Sequence, residues 1–158
     1  MGSKKSINKT VVGRQELCDL PQLGLTEIRA RVDSGAKTTA LHAYNIEVIE
    51  TDGKTGVIKF NTHPENRRRK DGPIITLPFV DHRTVVSSNG AREERYIVRL
   101  DVVIGGQLFN TDVTLTSRHK MTFPILLGRN TLIEAGFVID VSKGYVLGKK
   151  TKIKKEET

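Results

Sequence analysis

An all-β barrel is the fold class that three features of the sequence predict. Short apolar runs recur between turn signals at Asp52-Gly53-Lys54, Asn89-Gly90 and Gly105-Gly106-Gln107, the pattern of strands joined by hairpins. No segment of comparable length repeats its apolar residues with the 3.6-residue period of an amphipathic helix. Strands without covering helices must bury their apolar faces against one another, so a closed or semi-closed barrel with one short C-terminal helix accounts for the chain.

The elements follow in order. Val11-Val12-Gly13-Arg14 with Glu16-Leu17 reads as a first strand, and the turn-rich Leu20 to Leu25 leads into a second, Ile28-Arg29-Ala30-Arg31-Val32. Lys37 to Leu41 resumes an extended run, and Ile46 to Ile49 and Val57 to Phe60 flank the Asp52-Gly53-Lys54 turn. His63 through Pro78 breaks this rhythm and reads as a surface loop. Its basic part, residues 65–72, is either a solvated connection or a nucleic-acid patch, although four consecutive cations fall short of a sustained stripe. Thr84 to Tyr96 is a hairpin around Asn89-Gly90, and Tyr96 to Ile104 and Leu108 to Thr116 flank Gly105-Gly106-Gln107. Ile125-Leu126-Leu127 is a late strand. Thr131 to Ala135, stopped by Gly136, is one or two helical turns, and Phe137 to Val141 is a closing strand.

At 158 residues, with 37% hydrophobic and 28% charged residues, the expectation is a frayed segment over residues 1–10, one domain over 11–148 and a charged tail over 149–158. No run approaches the roughly 18 apolar residues of a membrane span, and the N-terminus lacks a signal peptide's apolar core, so a cytoplasmic location without a membrane partner is expected. The lone Cys18 excludes a disulfide framework and reads as a buried small hydrophobe. A net charge of +8 and a pI near 9.7 favour acidic or polyanionic partners. The lack of Trp and the 5% aromatic content argue against base-stacking platforms.

The candidate chemistry centres on Ala30-Arg31-Val32-Asp33-Ser34-Gly35-Ala36, where a strand delivers a carboxylate into a tight loop. Gly35 lets the backbone turn, and Ser34 can bond to backbone or to an equivalent loop. The same three residues also suit an ordinary strand-ending turn. A second signal is Ile125-Leu126-Leu127-Gly128-Arg129-Asn130. With both motifs in this order, the chain resembles the retropepsin-like aspartic proteases. More closely, it is similar to a bacterial group historically labelled ATP-dependent zinc proteases, over about Val12 to Leu147.

The resemblance implies a retropepsin-like closed barrel in which Asp33 is catalytic and Ser34 and Gly35 support its loop. Ala36, Gly128, Arg129 and Asn130 would form the structural backing. The Asn-Gly hairpin becomes a substrate-binding flap with Ser87, Ser88, Asn89 and Gly90 at its tip, although turn chemistry alone fits a hairpin that never moves. Where retroviral members often carry an acid that pairs with this arginine, the chain has Lys37, so Arg129 must find another acid or a carbonyl.

Hydrolysis of this kind needs two carboxylates sharing one proton. No other Asp has the hydroxyl-glycine sequel, so the second must be Asp33 of another copy, and a homodimer is expected. His42, His63, His82 and His119 show no short metal-ligand spacing, and no phosphate-binding loop is present, so neither a metal nor another cofactor is expected. The expected substrate is a peptide or protein, preferentially acidic. The resemblance adds an association with a glutamate ligase acting on a ribosomal protein. The alternatives are a non-catalytic barrel that binds acidic or ribosomal partners through its basic surface and, less favoured by composition, an RNA-binding barrel.

Overall fold

The computed structural model describes residues 9–62, 73–86, 88–117 and 123–148. The first eight residues, the basic loop 65–72, Ser87 and the tail from residue 149 lie outside them. Among the described residues there are twelve strands and one α-helix. They are β1 Thr10–Val12, β2 Gln15–Leu20, β3 Leu25–Val32, β4 Thr39–His42, β5 Tyr44–Thr51, β6 Gly56–Asn61, β7 Ile74–Phe79, β8 Asp81–Val86, β9 Arg92–Ile104, β10 Gln107–Thr116, β11 Ile125–Leu127, α1 Arg129–Ala135 and β12 Phe137–Ile139.

Six strands close on themselves in the order β10, β4, β11, β3, β2, β9, with β9 returning to β10 through the Gly105-Gly106 turn. Closure removes the exposed edges that an open sheet of this size would carry. Ile28, Ala30 and Val32 of β3 alternate inward and join Leu41, Val98, Leu100, Val113, Leu115, Ile125 and Leu127 in a single core. A separate antiparallel sheet, β5-β6-β7, buries Ile58, Phe60, Ile75 and Phe79 in the same core. An all-β closed barrel with one short α-helix among the described residues, as expected from the sequence, is therefore the observed fold.

Four local expectations change. The first strand is two strands, because Gly13 is a corner: a Cβ there would lie 2.5 Å from the Lys143 carbonyl oxygen. β1 pairs parallel with β12 outside the barrel, while β2 enters it. The closing strand is correspondingly short, and it partners β1. The stretch read as loop up to Pro78 ends in β7. Pro78 is tolerated there because β7 pairs only with β6 and is an edge strand. The helix begins at Arg129, two residues before the Thr131 start read from the sequence.

Cys18 is buried, and desolvation, with Asp19 adding a smaller push, raises its thiol to about 12, which makes it unreactive as a nucleophile. No helix among the described residues is long and apolar enough to cross a membrane.

Candidate active site

The strand order around β11 builds the site. β11 lies between β3, to which it is parallel, and β4, to which it is antiparallel. The loop that joins β3 to β4 must therefore pass over the C-terminal end of β11, and this loop carries Asp33. The Asp33 amide donates to the Leu127 carbonyl at 3.0 Å, extending the β3–β11 ladder by one residue. The Gly35 amide donates to Asp33 Oδ1 at 2.9 Å, and the Ala36 amide to the Asp33 carbonyl at 3.2 Å. One carboxylate oxygen is thus oriented by the loop's own backbone. Asp33 is half-buried, whereas Ser34 and Gly35 are exposed, so the loop faces outward.

The Gly128-Arg129-Asn130 segment fastens this loop from behind. The Arg129 amide donates to the Ala36 carbonyl at 2.8 Å and the Asn130 amide to the Lys37 carbonyl at 3.1 Å. Arg129 Nη1 donates to the Ser34 carbonyl at 3.0 Å. Arg129 has found a carbonyl, which replaces the acid that Lys37 excludes. Gly128 is required by close approach, because a Cβ there would lie 2.4 Å from the carbonyl carbon and oxygen of Thr38.

Sequence reasoning missed the threonines beneath the loop. Thr39, Thr111 and Thr131 are buried, and the Asn130 side chain lies against them. Asn130 Oδ1 accepts from the Thr39 amide and hydroxyl, both at 2.9 Å. The Thr39 and Thr131 hydroxyls are 2.6 Å apart and those of Thr131 and Thr111 3.0 Å apart, while the Gly128 amide donates to Thr39 Oγ1 at 3.0 Å. Every hydroxyl proton is used once if Thr111 donates to Thr131, Thr131 to Thr39 and Thr39 to Asn130. Such chained bonds fix a geometry more firmly than isolated ones. No local signal marks these residues, since Thr39 and Asn130 are 91 positions apart.

Thr39→Val keeps the shape and removes the hydroxyl that three groups share. The expected cost is about 2 kcal/mol, from the buried Gly128 amide left without a partner and the Thr131 hydroxyl losing its acceptor at Thr39, read as a lowered denaturant midpoint at constant slope.

The Asn89-Gly90 hairpin is a two-stranded arm. β9 pairs with β10 from Tyr96 onward, whereas its first residues, Arg92 to Arg95, pair only with β8. The tip turns at Ser88, Asn89 and Gly90, where the Ala91 amide donates to Asn89 Oδ1 at 3.1 Å. The base is fixed more tightly. His82 pairs with Glu94 and stacks on Tyr96, with ring centroids 4.7 Å apart. Lys54, the His82 amide and Arg83, in that order, hold the Asp81 carboxyl down to about 2.

Among the described residues no three His, Cys, Asp or Glu side chains converge as metal ligands. His82 is committed to Glu94, and His63 and His119 lie outside the described residues. The donors present do not compose a zinc site there.

The strand order and the fastened Asp-Ser-Gly loop define a retropepsin-like barrel. Residues 11–150 match the RimB-like family, described as retropepsin-like aspartic endopeptidase RimB, and the chain belongs to that family. It is 38% identical over 152 residues to a protein of Shewanella pealeana named "Probable alpha-L-glutamate ligase", covering 96% of this chain and 33% of that protein. A protein of the same name from Desulfotalea psychrophila is 34% identical over 148 residues, covering 94% of this chain and 32% of that protein. The chain therefore spans about a third of the length of these curated relatives. A solved structure of a Legionella pneumophila protein of unknown function superposes with a TM-score of 0.71 at 26% identity, covering 89% of this chain and all of that one.

Proposed function

We propose that the chain is an aspartic endopeptidase in which the Asp33 carboxylates of two copies face each other across a two-fold axis and activate one water. The observation that carries this reading is the Asp33 loop, oriented by its own amides, fastened by Arg129 and Asn130, and outward-facing at Ser34 and Gly35. An interior carboxylate could not meet a twin.

Two like carboxylates within a few ångströms share a proton. The ionised member takes a proton from water, and the resulting hydroxide attacks the scissile carbonyl. The protonated member donates to that carbonyl oxygen; as the tetrahedral adduct collapses, a hydroxyl of the adduct returns a proton to this carboxylate and the other carboxyl passes water's proton to the departing amide nitrogen. In this arrangement the exposed Ser34 of each copy braces the opposite loop. The arm carrying Ser88, Asn89 and Gly90 closes over the peptide as a flap, bringing exposed Val85 and Val86 with it. The zinc and ATP in the label of similar bacterial proteins receive no role.

The substrate proposed is an acidic or glutamate-modified protein tail. The net charge of +8 supports this, as does the name of the relatives, since glutamate is what a glutamate ligase joins. On this reading the protein works in the cytoplasm, beside a glutamate ligase and a glutamylated ribosomal target. That ligase name equally favours a second reading, in which the barrel is a non-catalytic module that holds glutamate tails.

The test is cleavage of a peptide bearing a polyglutamate tail across a range of protein concentrations. A dimer-borne site predicts specific activity that rises with concentration and saturates as the dimer forms in sedimentation. Specific activity independent of concentration in a protein that sediments as a monomer would remove the shared-site mechanism. Tail binding without cleavage would favour the second reading.

A further inference from the structure

The strand that delivers Asp33 also carries two arginines on the same face. Ile28, Ala30 and Val32 of β3 point into the core, so Arg29 and Arg31 point to the opposite face. The bond from the Asp33 amide to the Leu127 carbonyl keeps Asp33 in register with that alternation. Same-face residues on a strand stand roughly 7 Å apart, which puts the Arg31 position one repeat along the strand from Asp33 and the Arg29 position two.

Phe123, two residues before β11, organises both side chains. Arg29 Cζ lies 5.0 Å and Arg31 Cζ 5.8 Å from its ring centroid. Stacking engages the faces of the guanidinium groups, whereas carboxylates are gripped by their N–H edges, so the two interactions coexist. A stacked arginine also loses less rotamer freedom on binding than an unsupported lysine does. An ionised carboxylate in the catalytic centre repels an acidic peptide, and a cation on the same strand face offsets that repulsion locally, as net charge spread over the surface does not.

We propose that Arg31, buttressed by Arg29 and Phe123, is the specificity-determining cation of the Asp33 site and binds a glutamate or aspartate side chain of the substrate next to the scissile bond. This rests on the peptidase reading above and adds to it the residue that selects the substrate.

The test measures binding apart from cleavage. Fluorescence anisotropy of a labelled hexaglutamate peptide is followed on protein carrying Asp33→Asn, with Arg31→Gln, Arg31→Lys or Lys59→Gln added. Lys59 is a charge-matched control on the separate β5-β6-β7 sheet. Arg31→Gln is expected to weaken binding about tenfold. Arg31→Lys, which keeps the charge but loses the stacked planar head, is expected to fall in between at about threefold, and Lys59→Gln stays within about twofold.

Equal losses from Arg31→Gln and Lys59→Gln would overturn the proposal in favour of the general field of the protein. A loss from Arg31→Lys as large as from Arg31→Gln, with a lowered unfolding midpoint, would overturn it in favour of packing on Phe123. The two readings fail separately. Arg31-dependent binding without cleavage by protein that retains Asp33 sinks the peptidase and keeps the subsite, while cleavage indifferent to Arg31 does the reverse.

Discussion

Asp33→Asn is expected to lower peptide hydrolysis by about a thousandfold or more, the scale on which an acid-base group contributes, while leaving the barrel folded. The substitution is nearly isosteric. Its amide oxygen can still accept the Gly35 N–H that now meets Asp33 Oδ1 at 2.9 Å, and the fastenings from Arg129 and Asn130 reach loop carbonyls and leave the carboxylate untouched. What disappears is a group able to take a proton from water. In a shared site both copies lose it at once, and a mixed dimer retains a single carboxylate. Adding excess Asp33→Asn protein to the unsubstituted protein should therefore suppress activity beyond simple dilution. Initial rates on a tailed peptide measure this, with an unfolding curve as the control. Undiminished cleavage would show that hydrolysis, if present, comes from elsewhere.

The second large effect concerns stability at the end of the barrel where β1, β2 and the C-terminal segment meet. Glu16 is fully buried, with 0% exposure. Its Oε2 accepts from the Gly13 amide at 2.7 Å and the Val146 amide at 3.0 Å, and its Oε1 from the Leu147 amide at 3.1 Å. One carboxylate thus closes the corner at Gly13 and holds down the segment that follows β12. Tyr145 and Arg14 reinforce the contact through backbone bonds to Gln15 and Lys143. Glu16→Ala removes the acceptor of three amides and leaves a cavity, at an expected cost of about 4 kcal/mol. Glu16→Gln can turn its oxygen toward Gly13 and Val146 but sets its NH2 against the Leu147 N–H, donor facing donor, for about 2 kcal/mol. Urea unfolding of both variants measures the difference. Equal stability of Glu16→Ala and the unsubstituted protein would mean that this corner contributes nothing to the fold.

The hairpins were legible because their signals are local. Asp52-Gly53-Lys54, Asn89-Gly90 and Gly105-Gly106-Gln107 announce turns within a few residues, and each joins the strands expected of it. The Asp33 and Gly128-Arg129-Asn130 motifs were legible for a related reason, since each is a short string with a steric purpose. Illegible were the features that depend on a distant partner. Nothing near Gly13 indicates that Lys143 crowds it, so the corner between β1 and β2 read as continuous strand. Pro78 reads as a breaker until β7 is found at a sheet edge. Thr39 and Thr131 read as ordinary β-propensity and helix-start residues, although their hydroxyls are the buried floor of the site.

Alternation and turn chemistry act between neighbours in sequence, and so the chain by itself determined a barrel of short strands, the identity of the acid at the end of β3 and the motif behind it. The tertiary structure decided what requires two remote stretches to meet: the carbonyl that receives Arg129, the threonine chain beneath Asn130, the buried carboxylate of Glu16 and the pairing of Arg29 and Arg31 with Phe123. Closure of the barrel is what brings them together, because β11 can lie between β3 and β4 only when the chain has travelled around the whole sheet and returned.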